Sequence, residues 1–381
     1  MKRSATDLLR RLTLFLIGLA GVNPLGAQEL NTSLREAVTM MPAGGFSEPS
    51  LEVTWYLPPG DGPFPVVIIN HGRALGIAKM QTRYRPVLAA SEFVRRGYAV
   101  VVPMRQGFSK SEGSEISGGC NVYSNGLEQA RSVHRTLDWV AKQEWADVSR
   151  NVVMGQSHGG LTTLAYGTKP HPGTKLLVNF AGGLRQEGCA SWQHTLIRAI
   201  GDYGTATTLP SLWFYGDNDS FFSPFVWQGA FERYRQGGAP VELVAFGHFG
   251  SDAHALFGAK VGLPIWLPKV DAALAQVGLP HQLVHVLPAD NDVAPPPASG
   301  FAKVSEVEKL PVRSESARQG YRTWLAADSP KAFVIHPSKG YWTSSWGGEK
   351  PIARALAACQ RRASEPCRVY SVDDLVVWTA D

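Results

Sequence analysis

The sequence predicts an α/β fold: a doubly wound, mostly parallel sheet, followed by a small disulfide-stapled α+β domain. Three observations carry this. Apolar, β-branched runs recur along the chain, and several are continuous rather than alternating, as in VVII (66–69) and AVVV (99–102). Such runs suit strands buried on both faces. Helical patterns lie between the runs, which means βαβ units. Then a stretch with four prolines and no periodicity, 287–300 (LPADNDVAPPPASG), ends the alternation and reads as a linker.

Taken in order, residues 1–27 come first. Lys2, Arg3, Arg10 and Arg11 precede a short apolar run, 12–22 (LTLFLIGLAGV), and a turn-forming NPLGA. This is the pattern of a secretory signal peptide, with cleavage placed after Ala27. The run is too short for a comfortable membrane span, which takes roughly 20 residues. The protein is therefore expected to be exported, to the periplasm or the medium, without a stable span after cleavage. The main α/β body is expected over 28–286. Its strands fall at 51–57, 66–70, 99–103, 151–155, 175–180, 212–215 and 241–246. Its helices fall at 86–96, 125–142, 160–167, 224–235 and 266–277. The 125–142 spacing puts Leu127, Ala130, Val133, Leu137 and Val140 on one face. Residues 182–208, between two strands, are expected to contribute to a lid. Beyond the linker, 301–381 holds a helical run at 351–362 between strand-like runs at 331–336 and 368–378.

Composition narrows the function. Of 381 residues, 44% are apolar and 18% charged, which excludes wholesale disorder. The net charge is +5 and the pI about 9.0, values that invite a nucleic-acid partner. Their distribution removes that reading. Residues 1–27 hold four basic and one acidic residue, 298–381 hold twelve and nine, and 28–297 hold 21 and 22. The body is therefore close to neutral, and no nucleic-acid partner is expected. In an oxidising compartment the four cysteines point to disulfides. Of three possible pairings, Cys359–Cys367 is the natural local one, leaving Cys120–Cys189. No CxxC occurs, so zinc-ribbon and thioredoxin readings fail.

The most informative motif is GQSHGG (155–160), which follows a strand and opens a helix. That is the context of a nucleophile elbow, with Ser157 on a strained turn and glycines two positions to either side. The helix start then offers free N–H groups to developing negative charge. A serine nucleophile needs a base and an orienting acid, in the chain order Ser, Asp/Glu, His for this arrangement. The strand at 212–215 ends in GDND (216–219). Asp219 fits a Gly-x-x-Asp turn best, and Asp217 is the fallback. After the strand at 241–246 come His248 and His254, which spacing alone does not separate. The turn NHGR (70–73) follows an early strand, where a second oxyanion donor is expected. The donors are assigned as the backbone N–H groups of His158 and Arg73. His71 reads as a brace for that turn, and RQGFS (105–109) as the floor of the cleft.

Other patterns carry less. The stretch GTKPHPGTK (167–175) lacks phosphate-loop spacing. There is no HExxH, so neither a metal nor a cofactor is expected, and His158 reads as a pocket wall. Trp342, Trp346 and Trp378 read as packing residues rather than a ligand-stacking face.

Together the segments NHG (70–72), MRQGFSKSEG (104–113), GQSHGG (155–160), NFAGG (179–183), YGDND (215–219) and FGSDAHALF (249–257) resemble the dienelactone-hydrolase-like and peptidase-like branch of the α/β-hydrolase superfamily. The resemblance covers residues 45–280. It is closest to secreted bacterial members with a segment like Gly119-Cys120-Asn121 and a second cysteine near 189. In such proteins F-G-x-D-x-H-x-L-F carries the catalytic histidine, which favours His254 over His248. The resemblance also implies a Cys120–Cys189 disulfide near the site. Dienelactone hydrolases proper use a cysteine nucleophile. This chain has Ser157, so their lactone substrate does not carry over. The expected function is a secreted serine esterase acting on a small-molecule ester. A peptidase on the same scaffold and a non-catalytic envelope binding protein are the alternatives.

Overall fold

A computed structural model describes residues 30–45, 48–74, 76–117, 119–186, 188–287, 294–312, 314–327, 330–346, 350–363 and 365–380. The predicted signal peptide lies outside them. Of the unit Met1–Asn31 only Leu30 and Asn31 are described, and every helix and strand named below belongs to the unit Thr32–Asp381.

The elements of the body run β1 (Ala37–Met41), β2 (Leu51–Tyr56), β3 (Phe64–Asn70), α1 (Val87–Arg95), β4 (Ala99–Pro103), α2 (Val122–Val140), β5 (Ala146–Gln156), α3 (His158–Tyr166), β6 (Thr174–Phe180), α4 (Trp192–Gly204), β7 (Ser211–Tyr215), α5 (Pro224–Gln236), β8 (Val241–Ala245) and α6 (Leu263–Gln276). The eight strands form one sheet in the order β1-β2-β4-β3-β5-β6-β7-β8. The β1–β2 and β2–β4 pairs are antiparallel, and the others are parallel. The seven predicted strands form, as β2–β8. Their side chains alternate between two cores. Val66, Ile68, Val101, Val153, Leu177 and Trp213 pack under α2, α3, α4 and α5. Val67, Ile69, Val100, Val102, Val152, Val178 and Phe214 pack under α1 and α6. Each buried Val or Ile contributes roughly 1.5–3 kcal/mol. That is why β4, buried at all five residues, needs no polar face.

Within the segment 182–208, 13 residues form α4, whose Leu196, Ala199, Ile200 and Tyr203 are buried in the first core. A crossover helix is needed there to join parallel β6 and β7.

The second sheet comes from α7 (Glu315–Leu325), β9 (Lys331–Ile335), β10 (Trp342–Trp346), α8 (Pro351–Gln360), β11 (Arg368–Val372) and β12 (Leu375–Val376). Its order is β10-β9-β11-β12, all antiparallel. Phe333 and Ile335 face α7, while Ala332 and Val334 face α8. The run predicted as one strand at 368–378 is two. Asp373 turns the chain with φ of 49°, and its carboxylate accepts the Lys331 N–H. Disulfides Cys120–Cys189 and Cys359–Cys367 both form, and the second ties the end of α8 to the start of β11. Trp342 stacks on Phe333 and Trp378 is buried under Arg368, so both are packing residues. Trp346 is about half exposed. Among the described residues no helix is long and apolar enough to cross a membrane.

Candidate active site

The turns that follow the carboxyl ends of β3, β5, β7 and β8 carry Arg73, Ser157, Asp217, Asp219, His248 and His254, at the edge of the large sheet where sites of such folds lie. β5 ends at Gln156 and α3 begins at His158. Ser157 makes the turn between them with φ 57° and ψ −125°, a conformation that costs a non-glycine residue about 1–3 kcal/mol. Its surroundings hold it there. The Ser157 N–H donates to the Phe180 carbonyl at 2.9 Å, and its own carbonyl accepts from Leu161 and Gly183 at 3.1 and 3.0 Å. The flanking glycines are required by contact. A Cβ on Gly155 would lie 2.3 Å from the Gly159 carbonyl oxygen, and one on Gly159 would lie 2.0 Å from that of Asn70.

Of the two acid and two base candidates, the structure brings Asp219 and His254 together. Asp219 Oδ1 accepts the N–H groups of Phe221 and Phe222 at 2.8 and 2.9 Å. This leaves Oδ2 to accept from His254 Nδ1 at 2.9 Å. The Asp219 side chain is wholly buried, and that of His254 is 12% exposed. A proton held on Nδ1 by the carboxylate leaves Nε2 as the basic nitrogen. Asp217 and His248 are exposed. Asp217 meets the loop after β8 only through its backbone, donating to Gly247 at 2.8 Å. His248 touches Asn218 at 3.4 Å. Among the described residues the Ser157 hydroxyl is not hydrogen-bonded to His254. The link between their neighbourhoods runs through Gln156, whose Nε2 donates to the His254 carbonyl at 2.6 Å.

The other side of Ser157 is formed by the turn after β3. A Cβ on Gly72 would lie 3.2 Å from that of Ser157, so Arg73 leaves the turn beside the serine. The Gly72 carbonyl is held twice, by His71 Nδ1–H at 2.7 Å and by Arg105 Nη2 at 2.9 Å. The Arg105 N–H donates to His71 Nε2 at 2.9 Å. His71 thus braces the turn, as expected. Burial, and then the neighbouring Arg105 charge, hold its imidazole well below 6.5. Burial pulls Arg105 down to about 9, still charged at neutral pH, and its guanidinium sits 4.8 Å over the Phe108 ring. The Arg73 side chain reaches Glu115 at 2.5 Å. His158 departs from expectation: its imidazole is an interior brace rather than a pocket wall. It is buried, and Nε2–H donates to Asn125 of α2 at 2.8 Å. Burial first, then Arg105, His71 and Arg73, keep it well below 6.5. Its backbone N–H stands in the first turn of α3, where helix donors have no intrahelical acceptor.

Sequence reasoning missed four contributors. Asp252 accepts from the backbone of both Ser220 and His254. Gln156 sits immediately before the serine. The Phe221 and Phe222 rings lie 4.5 and 5.7 Å from the His254 ring. The local signal for Asp252 was an Asp two residues ahead of a turn histidine, the spacing of an Asx turn. Among the described residues no three His, Cys, Asp or Glu side chains are grouped to hold a metal ion.

The chain is similar to several known proteins. The sequence profile of X-Pro dipeptidyl-peptidase (S15 family) matches residues 49–212, a span that includes Ser157. Cocaine esterase from Rhodococcus sp. (strain MB1 Bresler) is 33% identical over 114 residues, 29% of this chain and 18% of that protein. The match therefore spans less than a fifth of that relative. Among solved structures, acylaminoacyl peptidase from Pyrococcus horikoshii superposes with a TM-score of 0.50 at 14% identity, over 66% of this chain and 43% of that one. A putative dienelactone hydrolase from Klebsiella pneumoniae subsp. pneumoniae gives 0.48 at 18% identity, over 63% and 98%. Strand order, the turn at Ser157 and the likeness to the acylaminoacyl peptidase give the chain an α/β-hydrolase fold.

Proposed function

We propose that this protein is an exported serine hydrolase that cleaves small carboxylic esters through Ser157, His254 and Asp219. The observation that carries this reading is the 2.9 Å bond between His254 Nδ1 and the buried Asp219 carboxylate, on the sheet edge that also bears the strained Ser157. The Ser157 hydroxyl attacks the ester carbonyl while His254 Nε2 takes its proton. Asp219 keeps the imidazole in the required tautomer and stabilises the imidazolium. The oxyanion forms against the backbone N–H groups of His158 and Arg73. His254 then protonates the leaving alcohol, and water attacks the acyl-enzyme with His254 again as base.

Ser157→Ala is expected to lower kcat for short p-nitrophenyl esters by about 10³-fold or more. A variant that keeps a tenth of the activity overturns the assignment. A second reading, a peptidase, is favoured by the match to the X-Pro dipeptidyl-peptidase profile. Paired p-nitrophenyl ester and X-Pro p-nitroanilide substrates separate the two. Export rests on the basic–apolar–NPLGA pattern of residues 2–27 and on two disulfides. The mature protein, taken from outside the cytoplasm, is expected to begin at Gln28, and an intact Met1 would contradict this. Within it we assign the catalytic body to 28–286, the linker to 287–300 and an appended module to 301–381.

A further inference from the structure

His254 is held at three points, only one of them on its ring. The ring donates to Asp219. The backbone N–H donates to Asp252 Oδ1 at 2.9 Å, and the backbone carbonyl accepts from Gln156 Nε2 at 2.6 Å. Asp252 does more than turn its own loop. The same Oδ1 accepts the Ser220 N–H at 3.0 Å, and Oδ2 accepts the Ser220 hydroxyl at 2.6 Å. Ser220 adjoins Asp219, so Asp252 ties the loop bearing the acid to the loop bearing the base. Burial raises the Asp252 carboxyl, but hydrogen bonds from Ser220 and His254 outweigh it and hold it below its ordinary value. Gln156, in turn, adjoins Ser157. The residues next to Ser157 and Asp219 are thus bonded to the backbone of His254 or to its anchor. His254 lies in a short 3-10 turn, Ala253–Ala255, which has little rigidity of its own.

We propose that Asp252 and Gln156 are positioning residues that clamp the His254 backbone from both sides and set its distance from Ser157 and Asp219. The proposal rests on the serine-hydrolase reading above. A displacement of the base by about 1 Å costs up to 10²-fold in rate, and substrate binding does not depend on it.

Asp252→Ala is therefore expected to lower kcat for p-nitrophenyl acetate by about 10–100-fold while KM changes by less than about threefold. Fluorophosphonate labelling of Ser157 is expected to slow in parallel. Asp252→Asn is expected to recover most of the loss. Its Oδ1 still accepts both N–H groups, and its amide donates to the Ser220 hydroxyl. Gln156→Ala is expected to lower kcat by about tenfold, again with KM kept. A residue that merely supports the fold would move the melting temperature without this kcat-only signature and Asn rescue. If Asp252→Ala does not fold, Asp252→Asn and Gln156→Ala still decide. Wild-type kcat and labelling in Gln156→Ala overturn the clamp, as does a loss confined to KM. Failure of the underlying reading looks different: Ser157→Ala would then remain active. An inactive Ser157→Ala beside fully active Asp252→Ala and Gln156→Ala rejects the clamp alone.

Discussion

The loops after β7 and β8 carry an imidazole, His254, that is bonded through Nδ1 to a buried carboxylate and keeps part of its ring at the surface. On the opposite flank of Ser157, His71 and His158 are buried beside Arg105. His71 is committed to a backbone carbonyl and His158 to the Asn125 amide. Burial next to a cation makes protonation of His71 and His158 costly. In the proposed mechanism the His254 flank moves the proton. The other flank holds neutral, buried imidazoles and, in the proposed mechanism, positions the backbone donors. The same residue type serves opposite ends because its partners differ.

The largest test of this contrast removes the charge from the moving flank. Asp219→Asn is expected to lower kcat/KM by about 10⁴-fold, because the amide leaves His254 in the wrong tautomer and its imidazolium unsupported. A loss under tenfold in steady-state hydrolysis would erase the distinction between the flanks. A smaller effect sharpens it from the other side. His158 has a folded-state pKa well below 6.5, so below pH 6.5 the unfolded chain binds a proton that the folded chain refuses. Its contribution is complete above 6.5 and is lost as pH falls towards the folded value, at up to about 1.4 kcal/mol per pH unit. His158→Gln is therefore expected to flatten the fall in melting temperature between pH 7 and pH 5. An unchanged slope would mean that this imidazole accepts a proton in the fold.

Much of the arrangement was legible in the sequence where a single physical rule dominates. Strands buried on both faces announce themselves as continuous apolar runs, so β4 was placed residue for residue at 99–103. Strand β1 (AVTMM) was not found, because an edge strand with alternating exposure is too short to stand out by periodicity. Helix α4 was hidden by Gly201 and Gly204, which lower helix propensity. Packing explains Gly204: a Cβ there would lie 2.4 Å from the Tyr234 carbonyl of α5. At the site, the strand–turn–helix context expected at Ser157 is present, with β5 ending at Gln156 and α3 starting at His158. Spacing did not choose between His248 and His254, because the choice is made by a carboxylate 35 residues away. The Gln156 link to His254 spans 98 residues, and no local pattern encodes such a contact.

Everything proposed for this site depends on Ser157 being an activated nucleophile. The most direct measurement is intact-mass and peptide analysis after exposure to a fluorophosphonate. A single phosphonyl adduct is expected on Ser157, abolished in Ser157→Ala and strongly slowed in His254→Ala. No adduct on the folded wild-type protein, or one elsewhere that survives Ser157→Ala, would contradict the assignment.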